Sequence, residues 1–144
     1  MDKKIYETTQ KRVMDLLLSL SDDLHIAAEG QCSEVARLVG CWILSEHPEY
    51  KIQIFKGALS DGMAHDILVV SKDGLLSLVD PTVWQIFPDS KSIFIGTFQN
   101  VSGAINLLEK KYSGSWKISE SMETCDEGYQ QELLEVIKKS GQEK

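Results

Sequence analysis

The chain has no run of apolar residues near the roughly 20 needed to cross a bilayer. Its first residues, Met1-Asp2-Lys3-Lys4-Ile5-Tyr6-Glu7, do not form the apolar segment of a secretory signal. No Gly/Ser/Pro-rich linker, internal repeat or low-complexity run divides it, so residues 1–144 are expected to form one domain. Its core is expected from about residue 5 to 139, with a flexible tail at 140–144. Cysteine is scarce: there are three, an odd number, and no Cys-x-x-Cys or His-x-x-x-His pair exists. That pattern excludes the usual structural zinc sites and, without a signal segment, predicts reduced thiols in a cytoplasmic setting. Basic residues are also few. The net charge is −7, and the Lys pairs at 3–4, 110–111 and 138–139 lie beside acids on predicted helices or at their margins. With no basic stripe to neutralise phosphates, nucleic acid is excluded as a partner, and membrane likewise.

What is present is an ordered trio: Cys32 in Gly30-Gln31-Cys32, His65 in Ala64-His65-Asp66, and Asp80 in Val79-Asp80-Pro81-Thr82. The stretch Ser33 to Glu46 has helical spacing, with Val35, Leu38, Val39, Trp42 and Ile43 as its apolar stripe. Cys32 therefore falls at the helix start, where free N–H groups and the positive dipole end favour a thiolate and can hold an oxyanion. His65 opens the apolar strand His65–Val70, and Leu75–Val79 forms the next strand, closed by Pro81. If the turn is Ser71-Lys72-Asp73-Gly74, His65 falls opposite Asp80, within imidazole–carboxylate reach; a three-residue loop would slip the pairing by one. The hairpin thus builds a base and its orienting carboxylate. Cys41 lies nine residues beyond Cys32, on the opposite helix face, and reads as core packing, while Cys125 reads as an incidental thiol.

In order and spacing these residues resemble the transglutaminase-like branch of the papain-like enzymes. Gly30-Gln31-Cys32 is similar to the Gly-Gln-Cys at the transglutaminase nucleophile, and Val79-Asp80-Pro81-Thr82 to the Val-Asp-Pro-Thr of bacterial relatives. The resemblance spans about residues 28 to 88. Ser33 stands where transglutaminases usually carry an aromatic, and the short chain is closest in size to small bacterial glutamine-deamidating effectors and toxins. The resemblance implies an α+β fold with a papain/transglutaminase-like core, the nucleophile helix packed on an antiparallel sheet with flanking helices. It also implies a Cys32–His65–Asp80 triad acting on a carboxamide through a thioester, in cytoplasm or after delivery by a signal-independent route.

For such chemistry the expected substrate is a protein or peptide carrying glutamine, and no metal or organic cofactor is required. Gln31 or Gln85 would add an oxyanion donor, and Trp84 would wall the site or fill the core. A small protease, a transglutaminase, a non-catalytic binding or immunity-type module, and a Cys32/His65/Asp80 metal site are the alternatives. Around this centre the pattern predicts a helix over 5–20, a strand over Lys51–Lys56, a glycine-bearing lid over Gly57–Ala64, a short strand at 92–96, and helices over 101–112 and 127–139.

Overall fold

The computed structural model describes all residues, Met1–Lys144, as an α+β fold of five helices and one antiparallel sheet. The helices are α1 (Lys3–Leu20), α2 (Leu24–Ala28), α3 (Cys32–Glu46), α4 (Val101–Lys111) and α5 (Glu127–Gln142). The strands are β1 (Lys51–Ala58), β2 (Ala64–Lys72), β3 (Leu75–Asp80), β4 (Phe94–Phe98) and β5 (Ser115–Met122), in the order β4-β3-β2-β1-β5. No helix is long and apolar enough to cross a membrane.

Alternation along the central strands divides the core. Ile52 and Ile54 of β1 and Leu68 and Val70 of β2 pack with α1, α3 and α5, where Val13, Leu17, Val35, Leu38, Val39 and Ile137 are buried. The opposite parity, Phe55, Ile67, Val69 and, from β3, Leu76 and Leu78, packs under α4 with Ala104 and Leu108. β2 is buried over six consecutive residues, His65–Val70, because helices cover both of its faces.

Several helix boundaries have local causes. Asp2, Asp23, Asn100 and Asp126 cap α1, α2, α4 and α5, each accepting a backbone N–H of the first turn. The β2–β3 turn is tighter than the sequence pattern predicts. Lys72 pairs with Leu75, so the loop is only Asp73-Gly74, both at positive φ (53° and 82°), as a two-residue hairpin of this hand requires. The register therefore differs by two residues from the expected one, with Val70 opposite Ser77 rather than Leu75. An even shift leaves every side chain on its expected face.

Four expectations are corrected. The loop expected over 57–64 is shorter: Gly57 and Ala58 extend β1 and pair with His65 and Ala64. Only 59–63 remains a loop, closed by Leu59 N–H to the Met63 carbonyl (2.8 Å) and pinned by Ser60 N–H to Ser113 Oγ (3.2 Å). Residues 140–142 of the expected free tail belong to α5, and Lys144 Nζ donates to the carbonyls of Ile26 and Ala27 at 2.9 and 3.1 Å. Cys125 is no incidental thiol but pairs with the buried Cys41 as a disulfide, their Cα atoms 5.3 Å apart, well inside disulfide range. Three reduced thiols are thereby replaced by one bridge and one free cysteine, Cys32. Finally, β5 was not anticipated. Its pairing with β1 shifts between Ile54 and Phe55, so Phe55 faces Ile118 while Ile54 faces Glu120. This bulge changes phase within one strand, sending Trp116 to the α4 side and Met122 to the α3 side.

Candidate functional site

Cys32 is the first residue of α3 and is half-buried. The helix has no side-chain N-cap: Gln31 precedes it at φ −106°, ψ 0° and makes no capping bond. Val35 N–H returns to the Gln31 carbonyl, but the N–H groups of Cys32, Ser33 and Glu34 meet no protein acceptor. The sole free thiol thus stands beside three unengaged donors at the positive end of a 15-residue helix.

His65 and Asp80 are both fully buried. The β2–β3 ladder ends at Leu68 and Val79, so continuing its register brings Asp80 level with Ile67, diagonal to His65 on the same face. From there His65 Nε2 meets Asp80 Oδ2 at 2.8 Å. The contact expected of directly opposed residues is made by a diagonal pair, because the shift was even. The other ring nitrogen, Nδ1, is buried without a hydrogen-bond partner, and the Cys32 thiol is near enough to influence the ring's protonation. Burial pulls the imidazole pKa down. The charge and hydrogen bond of Asp80, with a smaller contribution from the Cys32 thiol, outweigh burial and raise it from 6.5 to about 10. The buried imidazole therefore holds its proton at neutral pH.

Asp80 is itself held from three sides. Its Oδ1 accepts the Thr82 N–H at 3.1 Å, an Asx-type turn that Pro81 helps to set. Its Oδ2 accepts both His65 and the Tyr112 hydroxyl, the latter at 2.7 Å. Tyr112 also stacks on the imidazole, with ring centroids 5.7 Å apart and planes 22° apart, and Trp116 meets the same ring edge-on at 6.4 Å. Burial, then the neighbouring Asp80 charge, pushes the Tyr112 pKa up, so the phenol stays a donor. Tyr112 and Trp116 were not singled out in the sequence. A tyrosine at the end of a predicted helix carries no mark of a carboxylate 32 residues upstream.

The remaining expected site residues have other places. Gln31 is fully buried, and its amide nitrogen donates to the Ile137 carbonyl of α5 at 2.9 Å. That bond anchors the start of α3 under α5. Trp84 is completely buried in the larger core, its indole N–H bonded to the Ser90 carbonyl. Gln85 ends the 3-10 turn Val83–Gln85, which packs against α2; its Oε1 is buried without a partner. No group of three or more His, Cys, Asp or Glu side chains is arranged to hold a metal ion. A cleft of about 420 Å³ lies elsewhere, lined by residues such as Arg12, Trp42, Glu46, Tyr50 and Lys72.

Comparison with protein-family models, with curated proteins and with solved structures finds no match for this chain. The chemistry must therefore be read from the site alone. An imidazolium held by a carboxylate, with a free thiol nearby and free helix N–H groups, is suited to stabilise a thiolate, bind a developing oxyanion and return a proton to a leaving group.

Proposed function

We propose that this chain is a cysteine-nucleophile hydrolase with a papain/transglutaminase-like core, acting on the side-chain carboxamide of glutamine in a protein substrate. One observation carries the reading: buried His65 is held by Asp80 through Nε2 at 2.8 Å, its Nδ1 has no partner, and the only free cysteine, Cys32, is near enough to influence the ring. Asp80 fixes the ring and stabilises its charged form. The Cys32 thiolate attacks the carboxamide carbon, and the carbonyl oxygen gains the negative charge, held by N–H groups at the start of α3. His65 gives its proton to the nitrogen, the C–N bond breaks, and ammonia leaves a thioester on Cys32. Water, losing a proton to His65, then attacks the thioester carbon, releasing glutamate and restoring the thiol. No cofactor enters this scheme.

The partial burial of Cys32 favours a long side chain over a main-chain peptide bond, since a glutamine can reach a recessed thiol from a folded partner's surface. An amine in place of water would make the same intermediate a transamidation. The Cys41–Cys125 bridge suits a protein that meets an oxidising setting, and so delivery to a target cell over cytoplasmic residence.

The test is the pH dependence of iodoacetamide alkylation, with the modified residue located by mass spectrometry. Cys32 of the native protein is expected to react at pH 6 to 7 at least about tenfold faster than in His65→Ala, because the imidazolium stabilises the thiolate. Glutamine-bearing proteins should then gain the amide-to-acid mass increment, and Cys32→Ala should abolish that gain with the fold intact. Equal alkylation of native and His65→Ala protein would show that the trio is structural.

A further inference from the structure

Arg37 lies one helical turn after Ser33 on α3, and its side chain is 14% exposed. Its Nη1 donates to the Ser33 carbonyl at 2.9 Å, to Ser33 Oγ at 2.8 Å and to Asp66 Oδ2 at 2.8 Å. Its Nε donates to Glu120 Oε1 at 3.1 Å, and its Nη2 bonds the same oxygen. One guanidinium therefore joins the first turn of α3, the beginning of β2 and the edge strand β5. Asp66 is buried and alternates with His65, so its carboxylate faces α3 while the imidazole serves the site.

The two residues that Nη1 bridges are not arbitrary. Ser33 shares a peptide bond with Cys32, and Asp66 shares one with His65. Elsewhere α3 and β2 contribute apolar side chains, such as Val35, Val39, Leu68 and Val70, to one core cluster. Apolar packing resists separation but directs little, whereas a planar guanidinium with several short bonds sets distance and angle. A lysine ammonium is a point charge and cannot span all three partners.

We propose that Arg37 is a positioning residue that sets the Cys32 thiol against His65 Nδ1 by clamping Ser33 to Asp66. The inference rests on the Cys32–His65 reading above. Arg37 touches neither reacting group; it acts through the residue that follows each of them. Burial works against the guanidinium charge, but its bonds to Asp66 and Glu120 more than compensate, so the group stays charged at any working pH.

The test compares native protein, His65→Ala, Arg37→Lys and Asp66→Asn by iodoacetamide alkylation of Cys32 from pH 5 to 10, with thermal unfolding in parallel. Arg37→Lys keeps a cation beside Asp66, and Asp66→Asn keeps an acceptor of the same shape, so at least one is expected to fold. The folded variant should alkylate at pH 6 to 7 about fivefold or more slowly than native protein, its profile moving towards that of His65→Ala. A loss of packing away from the site would lower the melting temperature without moving this profile. If His65→Ala departs from native protein while the folded clamp variant matches it, the clamp is overturned and the catalytic reading stands. If native and His65→Ala profiles coincide, both are overturned.

Discussion

At the scale of single residues, His65 carries a consequence for stability as well as for chemistry. Its pKa is raised from 6.5 to about 10, so the folded protein keeps a proton that the unfolded chain releases over that range. The stabilisation is complete below about pH 6.5 and is lost as pH rises towards 10. Tyr112, whose ionisation is pushed up by burial and by Asp80, continues the decline above pH 10, where the unfolded phenol ionises first. Urea unfolding midpoints are expected to fall steadily from pH 6.5 to 10. In His65→Gln the fall across that window should flatten, even though the variant is less stable throughout for leaving Asp80 buried without its partner. A slope in His65→Gln as steep as in native protein would show that the proton is not held at this residue.

At the scale of elements, the site depends on how β1, β2 and β5 meet at one end of the sheet. Gly57 pairs with His65 on one side and Trp116 on the other. A Cβ at position 57 would lie 2.5 Å from the Trp116 indole, so that ring rests on the bare backbone and from there meets His65 edge-on. Gly57→Ala is expected to displace the indole and destabilise the fold by about 1–3 kcal/mol, read from urea unfolding, and to slow Cys32 alkylation as the aromatic packing around His65 loosens. A variant with unchanged stability and reactivity would show that Trp116 gives no support there. The contrast with the sequence pattern is instructive. Glycine at 57 reads locally as a loop residue, because nothing nearby shows that a tryptophan some sixty positions on needs the space.

At the scale of the whole molecule, the Cys41–Cys125 bridge ties α3 to the segment that leads into α5, across a sequence separation of 84. Closing a loop of that length restricts the unfolded chain by about 4–5 kcal/mol in the chain-entropy account. Removing the bridge by Cys125→Ala, or by reduction, should lower the urea midpoint by a corresponding amount. The His65–Asp80 geometry should be affected less, since it is held locally by their own hydrogen bond and by Tyr112. An unchanged midpoint under reducing conditions would show that helix packing alone holds α5 in place.

Local chemistry determined much of this protein. Apolar periodicity marks α1, α3, α4 and α5; the run His65–Val70 marks a strand covered on both faces; and Gly30-Gln31-Cys32 puts a thiol at a helix start. Even with the turn assigned two residues too long, His65 and Asp80 shared a face, because a strand repeats every two residues. Contacts between distant segments were decided only in three dimensions. The partner of Cys41, the bulge that lets β5 serve both cores, the bond of Gln31 to α5, the packing of Tyr112 and Trp116 on His65, and the bonding of Arg37 to Asp66 all follow from which surfaces fit once the sheet has formed. Sequence patterns record the periodicity of a single element, whereas such contacts depend on how several elements pack against one another.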